Sequence, residues 1–411
     1  MKPKGITTRL LHTPFPTADP HGSLNFPVYD SVAFEADTAE ELEAAFQGRE
    51  QRHLYSRITN PTVEYYQAKV QAMTGAFGVL ALSSGMAAVS NLLLALGRSG
   101  NNFITSRHLF GNTLSLFEKT LRPFGLEARF TDLTNPEKVR ELVDSNTIAI
   151  FLETITNPQL EVADIRSLGR IAGEHGLVLI TDTTMTPPVR FDANKMGVNF
   201  EVMSTTKFIS GGATSVGGLL IDYGQFDWSS FEKTRPMTGE HGENAFQVIL
   251  QKQVFRNMGA CLSPHNAFLQ TMGLDTLALR VERSTSSALE LAGRLEKRPE
   301  VVNVHYPGLK SSPFHDLACE QFGPKPCSLF TLNMGSKEEC FRFMNRLKIA
   351  RRSTNLQDNK TLIIHPASTI FAEYSHKEKK AMGLRDTMIR VSVGIEEIED
   401  LIGDFDQALS E

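Results

Sequence analysis

Short apolar runs and amphipathic stretches alternate through the middle of the chain. Gly78-Val79-Leu80-Ala81-Leu82 reads as a buried strand and Met86 to Leu96 as an apolar helix. The alternation continues with a strand over 102–105, a helix from Thr113 to Leu121, a strand over 147–152, a helix from Ile165 to His175 and a strand over 177–181. Further strands follow at 200–203 and 216–221. Strands too short and too apolar for an exposed face, each followed by a helical period, predict βαβ units around a largely parallel sheet.

The pattern changes on either side. Before about residue 61, Pro14, Pro16, Pro20, Gly22 and Pro27 break up an extended arm. Its one expected helix runs from Thr38 to Phe46, where a capping residue precedes an acidic first turn. An arm this long rarely stabilises itself, so it is expected to pack on the body or on a second subunit. After residue 257 come helical signals (Ala267 to Met272, Leu277 to Lys297), then strand-like runs at 301–305, 328–333, 361–364 and 388–393. The expected organisation is an arm over 1–60, a large α/β unit over 61–257 and a smaller α+β unit over 258–411. There is no internal repeat and no low-complexity tract.

Composition narrows the setting. Of 411 residues, 41% are hydrophobic and 22% charged, as in an ordinary globular protein. A net charge of -5 argues against a nucleic-acid or anionic-membrane partner. No apolar run approaches the ~20 residues of a membrane span, and the first residues lack the apolar core of a secretory signal. The four cysteines, Cys261, Cys319, Cys327 and Cys340, show neither CxxC pairing nor zinc spacing. A reducing cytoplasm with free thiols is therefore expected.

Polar residues with chemical potential cluster just after the expected strands, where open parallel sheets bind ligands. Ser83-Ser84-Gly85-Met86 follows 78–82 and opens a helix, Phe110-Gly111-Asn112-Thr113 comes after 102–105, and Asn157-Pro158 follows 147–152. Asp182 follows 177–181, and Ser204-Thr205-Thr206-Lys207 follows 200–203. Each has an ordinary explanation by itself: a helix cap, a turn former, a surface lysine. All of these would have to hold at one face of one sheet. The alternative is a single crevice in which the amides of Gly85 and Met86 hold a phosphate at a helix N-terminus. In it, Lys207 forms a Schiff base with pyridoxal phosphate, and Asp182, 25 residues upstream, keeps the pyridine nitrogen protonated. Competing fingerprints are missing: there is no GxGxxG, GxxxxGK or HExxH. Ser204 to Lys207 formally matches the SxxK of serine acyl-hydrolases, but the accompanying SDN and KTG tripeptides do not occur.

Several segments together resemble the Cys/Met-metabolism family of pyridoxal-phosphate enzymes. They are Tyr55 to Thr62 (YSRITNPT), Ser83 to Ala88, Asp182 to Pro187, Ser204 to Lys207, Ser263 to Phe268, His365 to Ser368 and Ile389 to Gly394. The resemblance runs in order along nearly the whole chain. It implies a fold-type I transferase, assembled as a homotetramer of two catalytic dimers. It assigns Lys207 as the Schiff-base lysine, Asp182 to the pyridine nitrogen, and Thr184 to the cofactor-binding residues. Gly85, Met86, Ser204 and Thr206 would hold the phosphate. Tyr55 and Arg57 would reach the phosphate in the neighbouring subunit, Asn157 would contact the cofactor's 3-oxygen, and Arg390 would clamp the substrate α-carboxylate. Phe110 stands where the family usually carries a ring-stacking tyrosine, so it can stack but has no hydroxyl for proton transfer. Thr183 replaces a familiar asparagine, and Thr369-Ile370-Phe371 departs from the usual ending of the HPAS segment.

Within that family, Asn355-Leu356-Gln357-Asp358-Asn359-Lys360-Thr361-Leu362 is similar to the loop of O-acetylhomoserine sulfhydrylases rather than to the SLGxxESL of cystathionine synthases and lyases. The implied reaction is a γ-replacement in methionine biosynthesis. Asn355 and Arg390 would lie at the substrate, Lys207 would act as base, and acetate would leave as sulfur adds. Cystathionine γ-synthase, methionine γ-lyase and a non-catalytic binding protein of the same fold are the alternatives. Sulfide, a thiol or a sulfur-donor protein could each supply the sulfur.

Overall fold

The computed structural model describes residues 5–410. Seven strands form the larger sheet: β1 (Gly78–Leu82), β2 (Asn102–Thr105), β3 (Glu127–Phe130), β4 (Thr147–Glu153), β5 (Val178–Asp182), β6 (Phe200–Ser204) and β7 (Gly218–Asp222). Their order is β1-β7-β6-β5-β4-β2-β3. From β6 to β3 every pairing is parallel, while β7 runs antiparallel to both β1 and β6. Alternate side chains feed opposite faces. In β4, Ile150 and Leu152 join one core cluster and Ala149 and Phe151 the other; in β5, Leu179 faces the first and Val178 and Ile180 the second. Burial on both faces requires the continuous apolar strands seen in the sequence.

A second sheet follows, with β8 (Asn303–His305), β9 (Leu329–Asn333), β10 (Arg351–Arg352), β11 (Leu362–Ile364) and β12 (Met388–Ser392) in the order β10-β11-β12-β9-β8. Only β10–β11 is parallel. The helix Leu277–Leu295 buries Val281, Ala288, Leu291 and Ala292 in the large core cluster that also includes residues of this sheet.

The expected elements agree with these closely, and the differences have local causes. β3 escaped notice because it is an edge strand whose residues are exposed or half-buried, so its pattern is not apolar. β10 is a two-residue strand with exposed arginines. The helix expected from Thr113 to Leu121 begins at Gly111 and widens into a π-helical turn over Leu116–Leu121. The helix Pro61–Thr74 was also missed. It starts with Asn60 capping Thr62 N and Pro61 in the first turn, and ends on the left-handed Gly75.

The arm only partly packs on its own body. The helix Ile6–Leu11 buries Leu10, and Phe15 and Phe26 meet Tyr65 in an aromatic cluster. The helix Ala39–Phe46 is capped by Thr38, as its sequence implied, but buries no residue. Leu24, Val32, Phe46 and Ile58 are exposed.

A close approach sets the helix Gly85–Leu96 against the sheet. A β-carbon on Gly85 would lie 2.8 Å from the Ser204 β-carbon, and one on Gly218 would lie 2.1 Å from the Ser84 carbonyl oxygen. The second clash is with backbone and cannot be relieved by a rotamer. Gly218→Ala is therefore expected to lower stability by about 1–3 kcal/mol, read from the urea unfolding midpoint, and to separate the helix start from the end of β6.

Candidate active site

The carboxyl ends of β4, β5 and β6 lie side by side, with the start of the helix Gly85–Leu96 against the end of β6. Ser84 caps this helix by accepting from Ala87 N at 3.0 Å. The Gly85 and Met86 N–H groups have no carbonyl four residues back inside the helix, and neither donates to another group among the described residues. Ser204 ends β6 beside them, and its N–H donates to Thr184 Oγ1 at 2.9 Å. Thr206 Oγ1 accepts from Gly217 N at 3.2 Å. Two free amides at a dipole's positive end, flanked by hydroxyls, could hold a phosphate.

Asp182 ends β5, in register with Glu153 at the end of β4. The Asp182 carboxylate accepts from Thr184 N at 2.9 Å. Burial raises its pKa, and the Thr184 donors work against that rise. Glu153 accepts from Phe110 N at 2.6 Å and from Asn157 N at 3.1 Å. Burial, then the neighbouring Asp182 charge, push the Glu153 carboxyl up to about 8. Two adjacent buried carboxylates repel unless a cation lies between or beside them. A protonated pyridine nitrogen against Asp182 would supply that cation.

Lys207 lies one short turn beyond β6. Its Nζ donates to Asn355 Oδ1 at 2.7 Å. Burial, then the charge of Arg390, lower the lysine to about 8, so a far larger minority of it is a neutral amine near neutral pH than for an ordinary exposed lysine, which favours covalent chemistry. Arg390, on β12, is 2% exposed. Its Nη1 donates to Asn157 Oδ1 at 3.2 Å, and its Nη2 to the Thr354 and Asn355 carbonyls at 3.1 Å each. Its Nε is buried with no partner. Burial pushes the guanidinium down to about 9. A buried cation held only by neutral oxygens and left with an orphan donor is matched to an incoming anion. The donors and charges therefore suit pyridoxal phosphate carrying an amino acid: amides for the phosphate, Asp182 for the ring nitrogen, Lys207 for the aldehyde carbon and Arg390 for the carboxylate.

Most residues singled out in the sequence meet here: Gly85, Met86, Asn157, Asp182, Thr184, Ser204, Thr206, Lys207, Asn355 and Arg390, with Phe110 tied in through Glu153. Tyr55 and Arg57 do not join them in this chain. Both are exposed. Arg57 lies over the Tyr55 ring and donates to the Arg256 carbonyl at 2.7 Å. Glu153 was overlooked in the sequence although it is the one charged residue in the apolar run of β4, where a carboxylate is costly without a purpose.

A family model described as Cys/Met metabolism PLP-dependent enzyme matches residues 7–410. The chain belongs to this family. It is 33% identical to O-acetyl-L-homoserine sulfhydrylase of Corynebacterium glutamicum, over 98% of this chain and 96% of that one. Among solved structures it is similar to the O-acetylhomoserine sulfhydrylase of Wolinella succinogenes, with a TM-score of 0.81 and 44% identity over 99% of this chain and 100% of that one. It is also similar to a putative O-acetylhomoserine (thiol)-lyase of Campylobacter jejuni that carries an N'-pyridoxyl-lysine-5'-monophosphate (TM-score 0.93, 32% identity, 99% of this chain and 100% of that one). The protein is thus a pyridoxal-phosphate-dependent enzyme of the Cys/Met metabolism family, with a fold shared with the structures of its relatives.

Glu153→Ala would leave the Phe110 and Asn157 amides buried without an acceptor, at a cost of about 1–3 kcal/mol for each. The expected result is a lower thermal midpoint together with weaker retention of pyridoxal phosphate in equilibrium dialysis. Glu153→Gln should lose less, since its amide oxygen can still accept one of the two.

Proposed function

We propose that the enzyme converts O-acetyl-L-homoserine and a sulfur nucleophile into L-homocysteine and acetate. The observation that carries this reading is the contact of Asn355 with Lys207, in a loop that also gives its backbone carbonyls to Arg390. That loop has the sequence resembling the sulfhydrylase branch, and it borders the reacting lysine. The named relatives point the same way.

The roles divide by chemistry. Arg390 pairs its unpartnered Nε with the substrate carboxylate, and Asn157 holds the guanidinium plane in place. Asp182 would keep a proton on the ring nitrogen of the cofactor, and the Gly85 and Met86 amides with Ser204 and Thr206 would hold its phosphate. When bound, the cofactor supplies the electron sink for charge left at Cα. Lys207, as a free amine beside the substrate, would take the proton from Cα, and a second proton leaves Cβ. The Cγ–O bond breaks and acetate departs, sulfur then forms the new bond at Cγ, and the protons return to carbon. Phe110 offers a ring face without a hydroxyl, so proton traffic at the leaving group passes to Lys207 rather than to a tyrosine. This difference also disfavours a γ-lyase that needs that hydroxyl.

The arm over 1–60 is assigned to a neighbouring subunit's site, where Tyr55 and Arg57 would reach the phosphate. This is supported by their exposure here and by the apolar residues the arm leaves uncovered. It implies a catalytic dimer, paired into a homotetramer, with 61–257 as the large cofactor-binding domain and 258–411 as the smaller α+β domain. The reading places the enzyme in the cytoplasm. It admits sulfide, a small thiol or a sulfur-donor protein as the source of sulfur.

Purified protein mixed with pyridoxal phosphate should develop a visible absorption band, and borohydride should bleach that band and leave the cofactor covalently fixed on Lys207. In a steady-state panel of acetyl-, succinyl- and phosphohomoserine against sulfide and cysteine, acetylhomoserine with sulfide should give the highest kcat/KM. Lys207→Ala should abolish turnover. Keto-acid release from methionine or cystathionine alone, at a rate matching sulfhydrylation, would instead make the protein a lyase.

A further inference from the structure

Asp358 lies three residues beyond Asn355, and no role falls to it from the assignments above. It is 8% exposed. Its Oδ2 accepts from Asn355 Nδ2 at 3.1 Å, and its Oδ1 from Lys360 N at 3.1 Å. A carboxylate only accepts, so the Asn355 carboxamide must turn its NH2 towards Asp358 and its oxygen towards Lys207. Without Asp358, either end of that amide could face the lysine, and one of the two would present donors to donors.

The loop is built to hold this arrangement. Gln357 takes a left-handed backbone with φ 54°, which lets residues 355 and 358 face the same point across a tight bend. Gln357 N donates to Ser392 Oγ at 2.6 Å, Asn359 N to the Gly211 carbonyl at 2.8 Å, and Gln357 Nε2 to the Met185 carbonyl at 3.1 Å. The loop is thereby pinned to β12, to the segment after Lys207 and to the segment after Asp182.

We propose that Asp358 is a positioning residue: through the Asn355 carboxamide it orients the free Lys207 amine and sustains its affinity for a proton against the nearby Arg390 guanidinium. The charged groups around the lysine support this balance. Arg390, from β12, disfavours a second cation, and Asp358, from the loop, favours it. Asp182 on β5 and Glu153 on β4 line the same crevice, but their hydrogen bonds go to Thr184, Phe110 and Asn157. Lys360 is exposed. Lys207 must both release and recapture protons in the γ-replacement proposed above, so a base held too weakly protonated by Arg390 would return them poorly. The device depends on that reading only for this consequence in turnover.

The test measures Lys207 directly, in the full-length chain stripped of cofactor. Competitive acylation across a pH series, read by peptide mass spectrometry, gives the protonation midpoint of this one amine. Asp358→Asn should move the midpoint down by about 0.5–1 pH unit, because an opposite charge favouring the ammonium form is gone. Asp358→Glu should stay near the parent. Asn355→Leu, which removes the link itself, should also lower the midpoint. Thermal unfolding checks that each variant is folded. An unchanged midpoint in folded Asp358→Asn overturns the proposal. If that variant does not fold, an unchanged midpoint in Asn355→Leu does so. The parent's failure to use O-acetylhomoserine would overturn the functional reading and leave the labelling result standing.

Discussion

The buried guanidinium of Arg390 is the point on which the site depends. It lies on β12 of the smaller sheet, yet it donates to Asn157 beyond β4 of the larger one and to the carbonyls of Thr354 and Asn355. One side chain thus ties together the two sheets and the loop that touches Lys207. Among the described residues no carboxylate is in contact with its guanidinium, which is unusual for a buried arginine and costly to stability. That cost is tolerable where a ligand's carboxylate completes the pairing. The same unpaired charge acts across the crevice to lower the proton affinity of Lys207.

A second tension stands opposite. Asp182 and Glu153 end neighbouring parallel strands in register, so their carboxyl groups approach in a poorly solvated place. The pair holds an excess of negative charge where the ring nitrogen of the cofactor would sit, while Arg390 and the helix start hold positive charge where the carboxylate and phosphate would sit. Charges of opposite sign are separated by the width of a crevice rather than joined in salt bridges. This is an electrostatically unsatisfied arrangement that a zwitterionic ligand relieves at both ends. Glu153 also converts the charge pattern into geometry, since its oxygens hold the backbone amides of Phe110 and Asn157, on two different loops.

Much of the fold was legible in the sequence because burial on both faces of a parallel sheet leaves a plain signature: apolar runs from Gly78 to Leu82 and from Thr147 to Leu152, each separated by a helical period. What escaped was what burial does not mark. β3 lies at an edge and β10 is a pair of exposed arginines, so neither carries an apolar pattern. The antiparallel entry of β7 between β1 and β6 is likewise invisible, because strand direction is decided by pairing and not by composition. In the site, Lys207, Asp182 and Arg390 could be picked out through their motifs. Glu153 belongs to no motif and is marked only as a charge in an apolar strand, and Asp358 lies in the loop that carries the branch resemblance, but the groups each one orients show only in the folded chain.

By itself, the sequence determined the class of fold, the positions of most strands, the ends at which chemistry would gather, and the family. These are local or periodic properties, set by side-chain polarity and spacing along the chain. Only the tertiary structure decided that Arg390 is buried with one donor left over and that Asn355 rather than any nearer residue holds the Lys207 amine. Residues 207 and 355 are 148 positions apart and meet at 2.7 Å. Hydrogen-bond partnership and desolvation depend on such distances in space, which no local pattern encodes.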